Sequence, residues 1–230
     1  FQSTLIRTPE AEFRTKRTNV WVTGTTAALP YGAWEHLTDS DRHMDPDVPL
    51  VLMADGSWSG DSTAIIAYTV EEKPHLFVVG LWEKPEDNNE WRVPITDVEQ
   101  RIRDFCRSNP VLEVGMDPYR WQRSMAVLEE EGIPMLEFPM GSVSRMVTAW
   151  KTFYDSVLDK KFTHSGDPQL ARHVENMVLK VDAKGARPTK ESRLSNRKID
   201  LGICAVAGMD RVLWHLDGGN KTPAPFALLA

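Results

Sequence analysis

The sequence has few cysteines and no long apolar run. Its 230 residues include two cysteines, Cys106 and Cys204, which are far apart and lie among apolar neighbours. This usage argues against a disulfide framework and suits a reducing compartment. No apolar run approaches the roughly 20 residues needed to cross a bilayer, and the first residues lack the apolar segment of a signal peptide. We therefore expect neither a membrane-spanning segment nor a signal peptide. Because no Met begins the chain, we also expect a fragment or a processed piece.

Several motifs that identify common enzyme classes are also missing from the sequence. There is no Gly-x-x-x-x-Gly-Lys-Ser/Thr loop for ATP, and no Gly-x-Gly-x-x-Gly follows a predicted strand. No Gly-x-Ser-x-Gly elbow offers a nucleophilic serine. The six histidines show neither a His-Glu-x-x-His pair nor a zinc spacing. These absences leave acidic side chains as the candidates for chemistry.

Charge is unevenly distributed along the chain. Overall, 27 basic and 33 acidic residues give a net charge of −6, which disfavours binding to nucleic acid by bulk charge alone. Residues 180–198, which we call the basic stripe, nevertheless carry seven basic and two acidic side chains. Such a run could contact phosphates, but a solvated loop is the commoner meaning of a charge run.

The pattern of apolar residues predicts an α/β fold with a mixed sheet. Three apolar runs at 48–54, 62–70 and 75–82 are joined by short connections, which favour an antiparallel meander. Helices and strands then alternate, which is typical of a sheet flanked by helices. The predicted order is a helix opened by a capping box at 96–99, a strand at 111–116, a helix at 118–131, a strand at 135–139, helices at 143–160 and 167–179, a loop or hairpin at 182–198, and a final helix containing Asp200.

The same pattern predicts one main domain. Residues 1–47 contain too few apolar side chains for a core of their own and are interpreted as a linker and peripheral segment. Residues 48–216 form the predicted domain. Residues 217–230 are rich in Gly and Pro and are interpreted as a C-terminal tail.

Three aspartates stand at unusual places in this predicted fold. Asp55 follows the buried first strand, Asp117 follows the fourth strand, and Asp200 lies in the opening turn of the last helix. Hard divalent cations prefer such oxygen ligands, and two ions about 4 Å apart can hold a phosphodiester for cleavage. Each residue also has a structural alternative, because Asp55-Gly56 suits a turn, Asp117-Pro118 suits a helix cap, and Asp200 suits the helix dipole. A carboxylate pair would also serve a glycosidase.

Three segments together resemble a known family. They are the strand ending in Asp55-Gly56, the segment GMDPYRW with Asp117, and the segment NRKIDLGICAVAGMDR with Asp200. In this order and spacing they resemble the nuclease domain of the large terminase subunit of tailed bacteriophages and prophages. The opening FRTKRTNVWV…LPYGAWEHL resembles the segment that follows the family's motor domain. The resemblance covers residues 49–216.

The resemblance implies an RNase H-like fold in which the first and fourth strands are adjacent and parallel. It implies two Mg²⁺ or Mn²⁺ ions, with Asp55 bridging them and Asp117 and Asp200 each helping to bind one. The resemblance also predicts that the basic stripe contacts DNA. The predicted contact residues are Lys184, Arg187, Lys190, Arg193, Asn196, Arg197 and Lys198. Of these, Asn196 and Lys198 are candidates to contact a phosphate or to orient the metal-binding carboxylates.

The activity implied is cleavage of concatemeric double-stranded DNA during genome packaging in the cytoplasm of a bacterial host. The partners implied for the full-length protein are the terminase small subunit and the portal, while the isolated domain is expected to be a monomer. Two alternatives remain open. One is a resolvase or integrase-type strand transferase of the same fold, and the other is a DNA-binding and docking module with a silent nuclease site.

Overall fold

A mixed sheet of six strands lies at the centre of the part of the chain described by the computed structural model, which comprises residues 27–43, 45–56, 62–85, 88, 90–192 and 195–219. A single turn of 3-10 helix at Glu35–Leu37 precedes the sheet. The strands and helices follow in the order β1 (Leu50–Gly56), β2 (Thr63–Thr69), β3 (His75–Trp82), α1 (Ile95–Ser108), β4 (Val111–Met116), α2 (Pro118–Glu130), β5 (Met135–Glu137), α3 (Val143–Leu158), β6 (Thr163–His164), α4 (Pro168–Glu175), β7 (Val178–Asp182), β8 (Gly185–Thr189) and α5 (Asp200–Leu216).

The sheet has the strand order β5-β4-β1-β2-β3-β6. β1, β2 and β3 form an antiparallel meander, because their connections are too short for a crossover. β4 lies parallel to β1, and β5 and β6 lie parallel to β4 and β3. The prediction of three antiparallel strands followed by parallel ones is confirmed, including the adjacent and parallel pairing of the first and fourth strands.

Helices cover both faces of the sheet. On one face, α5 packs on β1 and β2, and α3 packs against α5, in a core that includes Val51 and Met53. On the other face, α1 and α2 share a core with Leu52 and Ala54. Side chains alternate between the faces of a strand, so covering both faces buries the first five residues of β1. This explains why the first strand is a nearly continuous apolar run.

Three local predictions differ from the structure. The capping box at 96–99 is wrong, because α1 begins at Ile95 after Pro94 and Thr96 lies inside its first turn, hydrogen-bonded to Asp97. The helix predicted over 167–179 ends at Glu175, since Val178 pairs in the β7–β8 hairpin. β6 was not predicted, because two residues are too short to show a period.

The segment before β1 packs on the domain. Trp34 and Leu37 are buried, and the Trp34 ring stacks on the His164 ring with centroids 4.1 Å apart. Thr38 bridges to His164, and Ala27 bridges to Val178. Residues 1–26 and 220–230 lie outside the described part, so the division at residues 47 and 216 stays a prediction. Within the described residues, no helix is both long and apolar enough to cross a membrane.

Candidate active site

Asp55 lies at the end of the sheet where β1 and β4 both finish. The structure places it inside β1, opposite Ala64 of β2, because β1 continues to Gly56. Its neighbour Ala54 pairs with Met116, the last residue of β4. Asp117 follows Met116 directly, so the register of the two parallel strands brings Asp55 and Asp117 to the same end of the sheet. We call this end, where the C-terminal ends of β1 and β4 lie, the sheet edge.

Asp200 reaches this edge from the first turn of α5. It is buried, and its carboxylate accepts a hydrogen bond from the hydroxyl of Ser62, the residue before β2. Cys204 follows one helical turn later, and its thiol lies 3.7 Å from the carbonyl oxygen of Ala64. Because Ala64 pairs with Asp55, this contact places the first turn of α5 over the Asp55 end of β1.

The Cys204 thiol reports that two carboxylates are close to it. Its pKa is raised well above the usual value, first because the thiol is buried and then because the negative charges of Asp55 and Asp200 oppose its ionisation. Asp55 and Asp200, which are far apart in sequence, therefore act on the same buried atom. This joint effect agrees with the Ser62–Asp200 hydrogen bond and the Cys204–Ala64 contact, which bring both carboxylates to the same end of β1.

Asp117 has a structural role that the sequence also predicted. It caps α2, with Oδ1 accepting the amide of Tyr119 at 2.9 Å. Oδ2 accepts the amides of Met140 and Gly141, at 2.9 and 3.3 Å. These three backbone donors fix the orientation of the carboxylate. Capping does not exclude a second role, since a carboxylate has about four acceptor positions.

The three carboxylates supply the hard oxygen donors that Mg²⁺ and Mn²⁺ prefer. Among the described residues, however, no group of three or more His, Cys, Asp or Glu side chains is arranged to hold a metal ion. The structure brings Asp55 and Asp200 to one thiol and Asp117 to the next strand end. Since Mg²⁺ is commonly bound through one or two carboxylates with several waters, the donor set of Asp55 and Asp200 fits one such ion.

The basic stripe divides into two parts. Residues 178–189 form the β7–β8 hairpin, where the guanidinium of Arg187 pairs with Asp182 at 2.8 Å and is largely buried. Hydrogen bonds from Arg187 and from the Lys184 amide lower the pKa of Asp182 to about 2. The positive charge of Arg187 is thus already matched by a neighbour. Lys184 is exposed at the turn of the hairpin.

The second part of the stripe leads into α5. Asn196 and Arg197 are exposed, with Arg197 at 3.9 Å from Glu191, and Lys190 and Lys198 are half-buried. Arg193 lies outside the described residues. Lys198 precedes Asp200 by two positions, and its carbonyl oxygen accepts a hydrogen bond from Asn176. Of the predicted DNA contacts, Lys198 is the one closest in sequence to Asp200.

Sequence reasoning missed Ser62, His173 and Glu83. Ser62 hydrogen-bonds Asp200, and His173 accepts the amide of Leu201, the residue next to Asp200. Glu83 directly follows β3 and pairs with His173 at 3.0 Å. Each contact joins segments distant in sequence and lacks a local pattern, so a single sequence gives no signal for it.

No protein-family model and no curated protein matches the sequence, but solved structures with the same fold exist. The large terminase of bacteriophage HK97 has a TM-score of 0.68 at 17% identity, over 89% of this chain and 48% of that protein. The large terminase nuclease of thermophilic phage G20c has a TM-score of 0.61 at 11% identity, over 80% of this chain and 98% of that one. A structure of the G20c nuclease with bound magnesium has a TM-score of 0.54 at 12% identity, over 79% and 96% of the two chains.

These likenesses establish the fold. The chain has the RNase H-like fold of phage terminase nuclease domains, as the sequence predicted. It spans about half the length of the HK97 large terminase. The G20c nuclease has also been solved with cobalt and with zinc, at TM-scores of 0.53.

Proposed function

We propose that this chain, which folds as a terminase nuclease domain, is a metal-dependent endonuclease that cuts double-stranded DNA. The observation that carries the proposal is the packing of the first turn of α5 on the end of β1. Ala64, which pairs with Asp55, contacts the Cys204 thiol one turn after Asp200. Ser62, the residue before β2, hydrogen-bonds the Asp200 carboxylate. Two carboxylates gathered at one sheet edge repel each other, and a bound cation offsets that repulsion. The G20c nuclease of the same fold binds magnesium.

Asp55 and Asp200 would hold the metal, and Asp117 would complete the ligand set from the neighbouring strand end. A bound Mg²⁺ or Mn²⁺ supplies Lewis-acid chemistry at a phosphodiester, and two ions would hold its attacking and leaving oxygens. Ser62 donates to one oxygen of Asp200 and thereby orients the other. The amides of Met140 and Gly141 hold the Asp117 carboxylate in place.

DNA would be held mainly through its phosphates. The exposed side chains of Lys184, Asn196 and Arg197, together with Lys190 and Lys198, are the proposed contacts. Arg187 contributes less, because Asp182 already neutralises it. Phosphate contacts position DNA but carry no base information, so we expect little sequence preference. Arg193 remains a proposed contact on the basis of sequence.

On the basis of the resemblance to terminases, we propose that this activity belongs to viral genome packaging. We propose that the full-length protein cuts concatemeric DNA in the host cytoplasm, together with a small subunit and a portal, and that the isolated domain is a monomer. From the resemblance of the opening segment to the one that follows the family's motor domain, we propose that an ATPase motor domain forms another part of the full-length protein.

A second candidate function is a DNA-binding and docking module whose nuclease site is silent in the isolated domain. The hydrogen bonds to Asp117 favour it, because three backbone amides already occupy that carboxylate. Binding to duplex DNA without cleavage at any Mn²⁺ concentration would support this alternative. A resolvase or strand transferase would instead prefer branched substrates or join strands.

The test is to change Asp55, Asp117 and Asp200 separately to Asn. A metal ligand supplies several kcal/mol of transition-state stabilisation, so D55N and D200N should each reduce plasmid cleavage by about 100-fold or more. D117N should also lose cleavage. It should lower the stability of the helix cap less than D117A would, since Asn caps nearly as well as Asp. Asp104→Asn is the control and should cut normally, because Asp104 lies on the exposed face of α1 and pairs there with Arg107 at 2.9 Å. A variant of any of the three that cuts at the wild-type rate removes that residue from the site.

A further inference from the structure

The N-terminus of α5 is held by a histidine of another helix. The residue before α5 is Ile199, whose side chain cannot accept a hydrogen bond, so it leaves the first amides of the helix without the usual cap. The amide of Leu201 instead donates to Nδ1 of His173, at 3.0 Å. His173 lies in α4 and is fully buried.

The hydrogen bonds of His173 fix both its tautomer and its orientation. Because Nδ1 accepts the Leu201 amide, the ring proton must reside on Nε2. Nε2 faces Oε1 of Glu83 at 3.0 Å, and Arg172 pairs with Oε2 of the same carboxylate at 2.6 Å. Burial alone would raise the pKa of Glu83, but the hydrogen bonds from Arg172 and His173 outweigh it and lower that pKa. An ionised Glu83 therefore anchors the ring from β3.

Two further contacts show that the end of α4 holds the start of α5. The side-chain amide of Asn176 donates to the carbonyl oxygen of Lys198 at 3.0 Å. At Gly202, an added Cβ would lie 2.9 Å from the Met177 sulfur and 3.3 Å from the His173 carbonyl oxygen. The two helices thus approach closely on either side of Asp200.

We infer that His173 is a positioning residue for Asp200. By fixing the Leu201 amide, it sets where α5 begins and so directs the Asp200 carboxylate toward Ser62 and the Asp55 end of β1. His173 acts through the helix backbone and is not proposed to touch metal or DNA. This inference rests on the function proposed above, because it assigns His173 to the geometry of the same site.

The test compares two conservative variants that each keep one half of the His173 contacts. Asn places an acceptor near the position of Nδ1, so H173N retains the bond to Leu201. Gln reaches the position of Nε2, so H173Q retains the contact with Glu83 and loses the bond to Leu201. H173Q should raise the Mn²⁺ concentration for half-maximal thermal stabilisation about ten- to a hundredfold, the range seen for groups that orient metal ligands. H173N should stay close to the wild type.

A second readout needs no metal. In the metal-free protein, hydrogen–deuterium exchange of the Leu201 amide should be faster in H173Q than in H173N, because only H173N keeps its acceptor. Exchange in the middle of α5 should be alike in the two variants.

His164 provides a matched control. Its ring is also buried, its Nδ1 also accepts a backbone amide, from Gly166 at 3.1 Å, and its Nε2 lies 3.0 Å from the Trp34 carbonyl oxygen. It lies in β6, at the far edge of the sheet from β4. H164Q should lower the melting temperature and leave the Mn²⁺ dependence unchanged.

Three outcomes distinguish a positioning role of His173 from a purely structural role and from a failure of the proposed function. If H173Q and H173N bind Mn²⁺ alike, or if H164Q shifts the Mn²⁺ dependence as much as H173Q, the positioning role is overturned and His173 is a structural cap only. If the wild type itself shows neither Mn²⁺-induced stabilisation nor cleavage, the proposed function fails instead. A wild type that binds Mn²⁺, with H173Q impaired and H173N rescued, supports both.

Discussion

Buried charged side chains lie at both ends of α5, but the groups that surround them differ between the two ends. Near the C-terminus, Arg211 donates two hydrogen bonds to Glu113 of β4, at 2.6 and 2.8 Å, and stacks on the Trp214 ring at 4.2 Å. His215 lies 3.1 Å from the same carboxylate. At the N-terminus, Asp200 accepts from the neutral hydroxyl of Ser62, and the charge of Asp55 acts on the same thiol as that of Asp200.

This difference separates the C-terminal end of α5, the paired end, where charge holds the fold, from its N-terminal end, the acidic end, where we propose that charge binds a metal ion. A buried carboxylate paired bidentately with Arg needs nothing further, and removing one partner leaves a costly unpaired charge. The carboxylates of Asp55 and Asp200 instead concentrate negative charge at the N-terminus of α5. The positive end of the helix dipole offsets this charge in part. The paired end therefore stabilises the fold, whereas under the proposed function the acidic end binds a metal ion at a cost in stability.

The largest expected effect follows from breaking the paired end. Glu113→Gln leaves Arg211 buried without its counter-charge, and we expect a loss of about 3–5 kcal/mol in the free energy of unfolding. Urea denaturation followed by circular dichroism measures it. Glu131→Gln is the control, because Glu131 pairs with Arg103 at the surface, where ion pairs contribute little. Equal losses in the two variants would show that the Glu113 pair is no more important than a surface pair.

A smaller effect is expected from filling the acidic end. Mg²⁺ or Mn²⁺ at about 100 times its dissociation constant should stabilise the wild type by about 2.7 kcal/mol. Because the proposed metal site lies at the other end of α5, E113Q should gain as much as the wild type, whereas D200N should gain little. Thermal melts with and without metal measure the gain, with NaCl at equal ionic strength as the control for screening. A full gain in D200N would contradict the assignment.

The sequence made Asp55 and Asp117 candidates because they stand where apolar strands stop. The local pattern left their roles open, and only the family resemblance implied that the two strands are adjacent and parallel, which the structure confirms. The role of the aspartates as a site stays a prediction. Glu113 lies within an apolar strand and pairs with residues of the final helix. Only the tertiary packing of α5 on the sheet brings Arg211 there, and no periodicity in a single sequence shows it.

The same limit explains the errors and omissions in the secondary structure. Pro94 and Thr96 both suit the start of a helix, and the chain uses the earlier residue. Met177 and Val178 continue the apolar pattern of α4, but pairing with β8 draws Val178 into a strand. His173 belongs to no motif in the sequence, because its hydrogen bond to Leu201 depends on a contact between two helices.

The smallest expected effect concerns a charge at the paired end of α5 that is not fully compensated. The pKa of Asp210 is raised, first because its carboxyl is largely buried and also because Glu113 is near, although Arg145 and Arg211 act in the opposite direction. A raised pKa means that the folded state binds the proton more tightly than the unfolded state. Its stabilising contribution is therefore complete below the ordinary pKa of 3.8 and is lost as the pH rises through the folded-state value.

Asp210→Asn should consequently raise the urea midpoint at neutral pH, and its advantage over the wild type should shrink as the pH falls toward 3.8. Asp182→Asn is the opposite case, because Arg187 lowers the pKa of Asp182 to about 2. That carboxylate stabilises the fold above its ordinary pKa and loses this effect as the pH falls through the lowered value, so D182N should be slightly destabilising at neutral pH. If D210N were destabilising at neutral pH, Arg145 and Arg211 would compensate Asp210 fully. The contrast between the two ends of α5 would then be complete.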